Sequence, residues 1–157
     1  ASRVVMLTPS AGKQGVIDTV LQCVREKAAN ACPPLIVGVG IGATFDKVGG
    51  LAKHALMRPL GQHHPDPKAA EFEAELLSAI NATGIGAGAL GGCTTALGVR
   101  VETAPCHIAA LPVAVNMGCS AMRRATVDLA CKELPKEALV QTLQNEVFKS
   151  KENGEGE

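Results

Sequence analysis

Ala96-Leu-Gly-Val-Arg-Val-Glu-Thr103, the connection Ala104-Pro-Cys-His107, and Ile108-Ala-Ala-Leu-Pro-Val-Ala-Val-Asn116 together decide the fold. Both flanking runs are rich in β-branched and small apolar residues, which suits buried strands. Parallel neighbours need a crossover of a dozen residues or more, and four residues cannot supply one. The two strands therefore run in opposite directions, and a sheet that also holds strands followed by helices must be mixed. Working outward, Leu35-Ile-Val-Gly-Val-Gly-Ile41 is a third buried strand, and Val4 to Leu7 is a short fourth.

Helical spacing fills the gaps between strands. Gly12 to Asn30 carries Val16, Val20, Cys23 and Val24 on one face, and Pro33 and Pro34 stop it. A residue before proline is pushed towards extended backbone, so Cys32 is expected there. A second helix is expected near Phe45 to Met57, with Thr44 as its N-cap. A third runs from Lys68 to Thr83, with Phe72, Leu76, Leu77 and Ile80 on the apolar face and acids on the other. Between Gly84 and Gly92 five glycines in nine residues exclude regular structure and imply a loop wrapping closely around something. A helical stretch follows from about Ala121, broken near Pro135. The pattern is α/β (α+β): a mixed β-sheet flanked by helices in a single domain, residues 1–148, with a polar tail over 149–157.

Composition narrows the function classes. Fifteen basic residues balance fifteen acidic ones, and the only aromatics are Phe45, Phe72 and Phe148. A nucleic-acid partner is not expected, because both a basic field and stacking platforms are lacking. No run approaches the ~20 apolar residues of a membrane span. Six cysteines without a secretion signal point to a cytoplasmic protein whose thiols are free, metal-bound or nucleophilic. No Cys-x-x-Cys pair occurs, so any metal ligands converge from distant parts of the chain.

The Gly38-Val-Gly40-Ile-Gly42-Ala43 turn formally fits a dinucleotide fingerprint, but no second strand ending in an acid follows at the required distance. Close packing, or a cradle for a small anion, is the better account. Cys23 and Cys131 sit on helices as small core residues. Cys32, Cys106 and Cys119 lie at loop or strand ends, where a metal site and free thiols are equally open. His107, taken alone, reads as a hydrogen-bonded surface histidine. His54, His63 and His64 have no partner in the pattern.

The order of the pieces adds more. Cys32-Pro-Pro-Leu-Ile-Val-Gly-Val-Gly-Ile-Gly-Ala-Thr-Phe-Asp46 is followed by Leu51-Ala-Lys-His-Ala-Leu-Met-Arg-Pro59 and Glu75-Leu-Leu-Ser-Ala-Ile-Asn81. Gly84-Ile-Gly-Ala-Gly-Ala-Leu-Gly-Gly-Cys-Thr-Thr-Ala-Leu97, then Pro105-Cys-His-Ile-Ala-Ala-Leu-Pro-Val-Ala-Val-Asn116 and Cys119, complete the series. From about Ser2 to Arg124 this strongly resembles the alpha subunit, or N-terminal domain, of class I fumarases and L-tartrate dehydratases, which are iron–sulfur hydro-lyases. The likeness covers the second half of that alpha domain.

The resemblance implies a [4Fe–4S] cluster with Cys32 and Cys119 as two of its three ligands and the first ligand outside this chain. It implies that His107 contacts the substrate, a small dicarboxylate such as fumarate, malate or tartrate, as a catalytic and substrate-binding residue. Three protein ligands leave one iron open as a Lewis acid for the departing hydroxide. The proton-abstracting base is implied to lie in a beta subunit or C-terminal domain, so the chain alone is expected to be inactive, and a homo-oligomer is expected. The competing expectation is a non-catalytic module that kept the fold without the cluster; a zinc enzyme is also open. Ala43 stands where the family usually has another glycine, which a negative φ would tolerate. Cys93 replaces a residue that is more often polar or basic and is assigned no role.

Overall fold

The computed structural model describes residues 1–122 and 127. Residues 1–122 belong to a compact unit, Ala1–Arg124, and residue 127 to a second one, Ala125–Glu157. The expectations for Cys131, Pro135, Phe148 and the tail lie outside the described residues.

Among the described residues four strands form one mixed sheet: β1 (Ser2–Leu7), β2 (Leu35–Gly42), β3 (Ala96–Ala104) and β4 (Leu111–Gly118). Their order is β1-β4-β2-β3. β4 is antiparallel to both neighbours, with Val5 opposite Val113 and Val39 opposite Val115, whereas β2 and β3 are parallel, with Val37 opposite Val99. The last two strands do run in opposite directions, but they are not neighbours, because β2 lies between them. The β3–β4 connection therefore passes over the end of β2. The strand expected from Ile108 begins only at Leu111, since residues 105–110 form the turn that makes this crossing.

Three α-helices among the described residues cover the sheet. α1 (Gly12–Lys27) and α3 (Pro67–Asn81) pack on one face, where Val20, Cys23, Val24, Leu76 and Ile80 meet Leu35, Val37, Val39, Val99, Val101, Val113 and Val115. α1 is shorter than its apolar pattern suggests, and a 3₁₀ turn at Ala29–Ala31 replaces its last turn. Burial drives this layer, as the alternating valines of each strand supply the apolar area. Asp66 caps α3, its side chain accepting from the Lys68 N–H at 3.0 Å.

α2 (Val48–Ala55) lies on the other face in a small cluster with Ala114. Here the glycines of β2 find their explanation. A Cβ on Gly38 would stand 2.2 Å from the Ala52 carbonyl oxygen, and one on Gly40 would stand 2.5 Å from that of Val48. The strand is bare because a helix backbone rests directly on it, which is the close-packing account of this motif. α2 is capped otherwise than expected: Lys47 is the N-cap residue, with no side-chain hydrogen bond. The Thr44 carbonyl accepts from Lys47 and Val48, while the Thr44 hydroxyl bonds Asp46 and holds that carboxyl below its usual range.

One backbone expectation fails at Cys32, and the condition set for Ala43 is not met. Cys32 is left-handed, at φ 51 and ψ 67, because it terminates the 3₁₀ turn before the chain enters Pro33. Ala43 also has a positive φ, 59. Among the described residues no helix is long and apolar enough to cross a membrane.

Candidate functional site

The residues singled out by chemistry lie at ends of β2, β3 and β4, and the sheet sorts them into two groups. Cys32 precedes β2 and Cys119 follows β4. These strands are antiparallel, with Ile36 opposite Gly118, so both thiols lie at the same end of the sheet. Cys93 precedes β3, which is parallel to β2, and so belongs to this end as well. Cys32 and Cys93 are exposed, Cys119 is half-buried, and all three are free thiols.

The glycine-rich segment shapes this end. The Gly88 N–H donates to the Pro33 carbonyl at 2.9 Å, and the Gly86 N–H donates to Thr95 Oγ1 at 3.1 Å. A Cβ on Gly86, whose φ is 71, would stand 2.0 Å from the Gly91 carbonyl oxygen, so what the loop wraps is largely itself. On the far side a 3₁₀ turn at Ser120–Met122 begins at once after Cys119, whose carbonyl accepts from the Met122 N–H at 2.9 Å. Among the described residues no three His, Cys, Asp or Glu side chains stand close enough together to hold a metal ion.

His107 lies at the opposite end. It sits in the turn between β3 and β4, next to the carboxyl ends of the parallel strands β2 and β3, where open α/β sheets commonly bind ligands. The Ala109 N–H donates to His107 Nδ1 at 3.1 Å, so in this arrangement Nδ1 is an acceptor and Nε2 carries the proton of the neutral ring. Cys106 Sγ donates to the Ala110 carbonyl at 3.2 Å. The ring lines two clefts. One, of about 670 Å³, also takes in Lys13, Lys68, Phe72 and Glu71; the other, of about 400 Å³, takes in Ala43, Thr44 and Lys47. Lys13 is ion-paired with Glu75 and lies 5.2 Å from the centre of the Phe72 ring.

The family model described as Fumarate hydratase (Fumerase) matches residues 1–128. The chain belongs to the fumarate hydratase (Fumerase) family. It is 48% identical over 120 residues to the putative L(+)-tartrate dehydratase subunit alpha of Methanocaldococcus jannaschii, covering 76% of this chain and 42% of that protein. It is 43% identical over 122 residues to the L(+)-tartrate dehydratase subunit alpha of Escherichia coli K12, covering 78% of this chain and 40% of that protein. The chain thus spans less than half the length of the curated relatives it matches.

This member of the fumarate hydratase family also holds a buried charge cluster that the sequence reading missed. Glu73, 5% exposed, accepts from Arg58 Nη1 and Nη2, one on each carboxylate oxygen, and its Oε2 also lies 3.6 Å from Arg100 Nη1. The Val101 N–H donates to Glu73 at 2.7 Å, and Arg58 Nη2 donates to the Val101 carbonyl at 3.3 Å. Arg100 donates to the carbonyls of Pro59 and Leu60. Burial lowers the Arg100 pKa, with Glu73 opposing that pull and Arg58 adding to it. Two signals pointed here: Glu73 shares the helical face of Leu76 and Ile80, and Arg100 interrupts a run of valines. Acids on an amphipathic helix normally face water, and that expectation hid the cluster.

Proposed function

We propose that this chain is the cysteine-bearing part of an iron–sulfur hydro-lyase acting on a small dicarboxylate, fumarate/malate or tartrate. The supporting observation is that Cys32 and Cys119, far apart in sequence, are brought to one end of the sheet by adjacent antiparallel strands. Both are free thiols with at least partial exposure, the donor type that iron–sulfur clusters take. In this reading they are two of three cluster ligands, and the third comes from a segment outside the chain. When bound, a cluster with one open iron supplies a Lewis acid for the substrate's hydroxyl and carboxylate.

The chain's own groups then have defined tasks. Cys32, held left-handed between a 3₁₀ turn and two prolines, presents its thiol from a backbone with little freedom. His107, with Nδ1 occupied by the Ala109 N–H, has Nε2–H free to hydrogen-bond a substrate oxygen and orient it. Proton abstraction from carbon falls to a group outside this chain, on a beta subunit or a further domain, in keeping with the alpha-subunit names of the relatives. The isolated chain is accordingly inactive in this reading.

The test is iron and sulfide content, with the visible spectrum, after anaerobic reconstitution of the chain and of its Cys32→Ser and Cys119→Ser variants. Cluster absorbance in the parent that is lost in both variants supports the assignment. Absorbance unchanged by either substitution refutes it. Zinc in place of iron, or no metal in a longer chain that includes the third ligand, favours a non-catalytic module.

A further inference from the structure

The charge cluster at the β3 edge does not balance. Two guanidiniums, Arg58 and Arg100, share the carboxylate of Glu73, the only acid ion-paired with either of them among the described residues. Glu102, two residues on from Arg100, lies 3.9 Å from His54 instead. The two arginine side chains are only 13% and 9% exposed, so an excess positive charge is held in a largely desolvated place. The Nε–H of each is also buried without a hydrogen-bond partner. Buried charges are normally paired and buried donors normally bonded. Both observations therefore point to an acidic acceptor that the described residues do not contain. Beside the cluster the surface is apolar. Leu60, whose carbonyl accepts from Arg100, and Leu97, near the start of the strand, are each 42% exposed. A Cβ on Gly98 would stand 2.5 Å from Leu60 Cδ2 and 4.0 Å from Arg100 Nη1, so Leu60 leans over bare strand right beside the guanidinium.

We propose that this edge is a docking surface for an acidic segment of the same subunit, one that lies outside this chain. Its Asp or Glu stands against Arg58 and Arg100, and an apolar neighbour covers Leu60 and Leu97. The carboxylate neutralises the excess charge, and the two open Nε–H groups are donors it can take on with a change of rotamer. Two arguments favour a segment of the subunit over a passing ligand. A ligand would leave these groups uncompensated each time it left, whereas a covalently continuous segment covers them for as long as the fold exists. The curated relatives also supply the length, since this chain covers only 42% and 40% of the two described above. The proposal shares with the reading above only the premise that the subunit extends beyond this chain; neither the cluster nor His107 enters it.

The experiment uses the complete enzyme, with all its parts, carrying a photo-crosslinker in place of Leu97. The expected product is a link within the subunit to a segment outside residues 1–157, located by peptide mass spectrometry, with an Asp or Glu beside the attachment point. Attachment to a beta subunit, to a second copy or only within residues 1–157 overturns the proposal, and so does the absence of any product. A double-mutant cycle then tests the charge. The mapped acid is neutralised (Asp→Asn or Glu→Gln) and Arg100→Met is introduced, singly and together, and the urea midpoints are compared. The double variant is expected to lose clearly less than the sum of the two single losses, because each substitution removes the same contact. Losses that simply add mean a segment that touches the edge without serving the arginines, and they overturn the proposal. The crosslink needs no destabilised variant, so an Arg100→Met form that folds poorly does not shelter the proposal from refutation. Neither readout involves iron, so this proposal and the cluster assignment stand or fall separately.

Discussion

Asp46 and Thr44 show how a residue pair can miss its expected role and take another. Thr44 precedes a helix and has the right chemistry for an N-cap, yet its hydroxyl bonds the Asp46 carboxylate and leaves capping to the Thr44 carbonyl. That hydrogen bond is the largest cause of Asp46's lowered pKa, followed by the backbone N–H of Asp46 itself. A carboxyl whose folded pKa is depressed adds stability above its unfolded pKa and loses it as pH falls through the folded value. Thr44→Val is therefore expected to move the Asp46 titration upwards towards the ordinary carboxylate range, partway only, because the backbone donors remain. Carboxyl carbon shifts followed by NMR across acid pH would read this, and an unmoved midpoint would dissociate Asp46 from Thr44. Neighbouring Ala43 was legible as a turn residue but not in its sign of φ. Left-handed backbone is invisible in the sequence wherever a residue other than glycine adopts it, as Ala43 and Cys32 both do.

Among the elements, strand existence was readable and strand adjacency was not. Period-2 valines identify β2, β3 and β4, because a buried sheet face needs β-branched bulk there. Nothing local reveals that β4 inserts between β1 and β2, since that order is set by long-range pairing. The same limit applies to the site: Cys32, Cys119 and His107 could be named from sequence, but their division between two ends follows from strand direction alone. α2 is the clearest element-level case. It is eight residues long with two glycines of its own, a weak helix by propensity, yet it sits where β2 has been stripped of side chains. The two kinds of glycine should respond oppositely. Gly38→Ala puts a Cβ against the Ala52 backbone and is expected to cost about 1–3 kcal/mol. Gly50→Ala meets nothing within 4 Å and is expected to stabilise by roughly 0.5–1 kcal/mol. Urea midpoints at a common slope would compare them, and equal shifts of the same sign would refute the packing account of the Gly38 motif.

At the scale of the molecule, the four-stranded sheet of the described residues has two edges, and side chains of this same chain cover part of each. At the β1 edge Lys27 Nζ donates to the Ser2 carbonyl and Arg3 pairs with Glu26, so the end of α1 partly covers the strand. At the β3 edge the cover is deeper. Asn81 Oδ1 accepts from the Thr95 and Ala96 N–H groups at 2.8 and 2.9 Å, and its Nδ2 donates to the Ala96 carbonyl. Further along, Glu73 and Arg58 take the N–H and the carbonyl of Val101. A single carboxylate thereby ties α3, the loop after α2 and the edge strand together, while neutralising part of two buried guanidiniums. Removing one partner of such a cluster strands the others, whereas replacing the whole cluster with apolar groups does not. Glu73→Leu is expected to destabilise by about 3–5 kcal/mol, a large share of the roughly 5–15 kcal/mol that holds a domain folded. Adding Arg58→Met and Arg100→Met to that variant should recover part of the loss, although the unpaired Val101 groups keep it below the parent. Chemical denaturation of the three forms decides the matter. A loss under about 1 kcal/mol for Glu73→Leu, or a triple variant less stable than the single one, would mean that the paired charges contribute little and that the edge is held by packing alone.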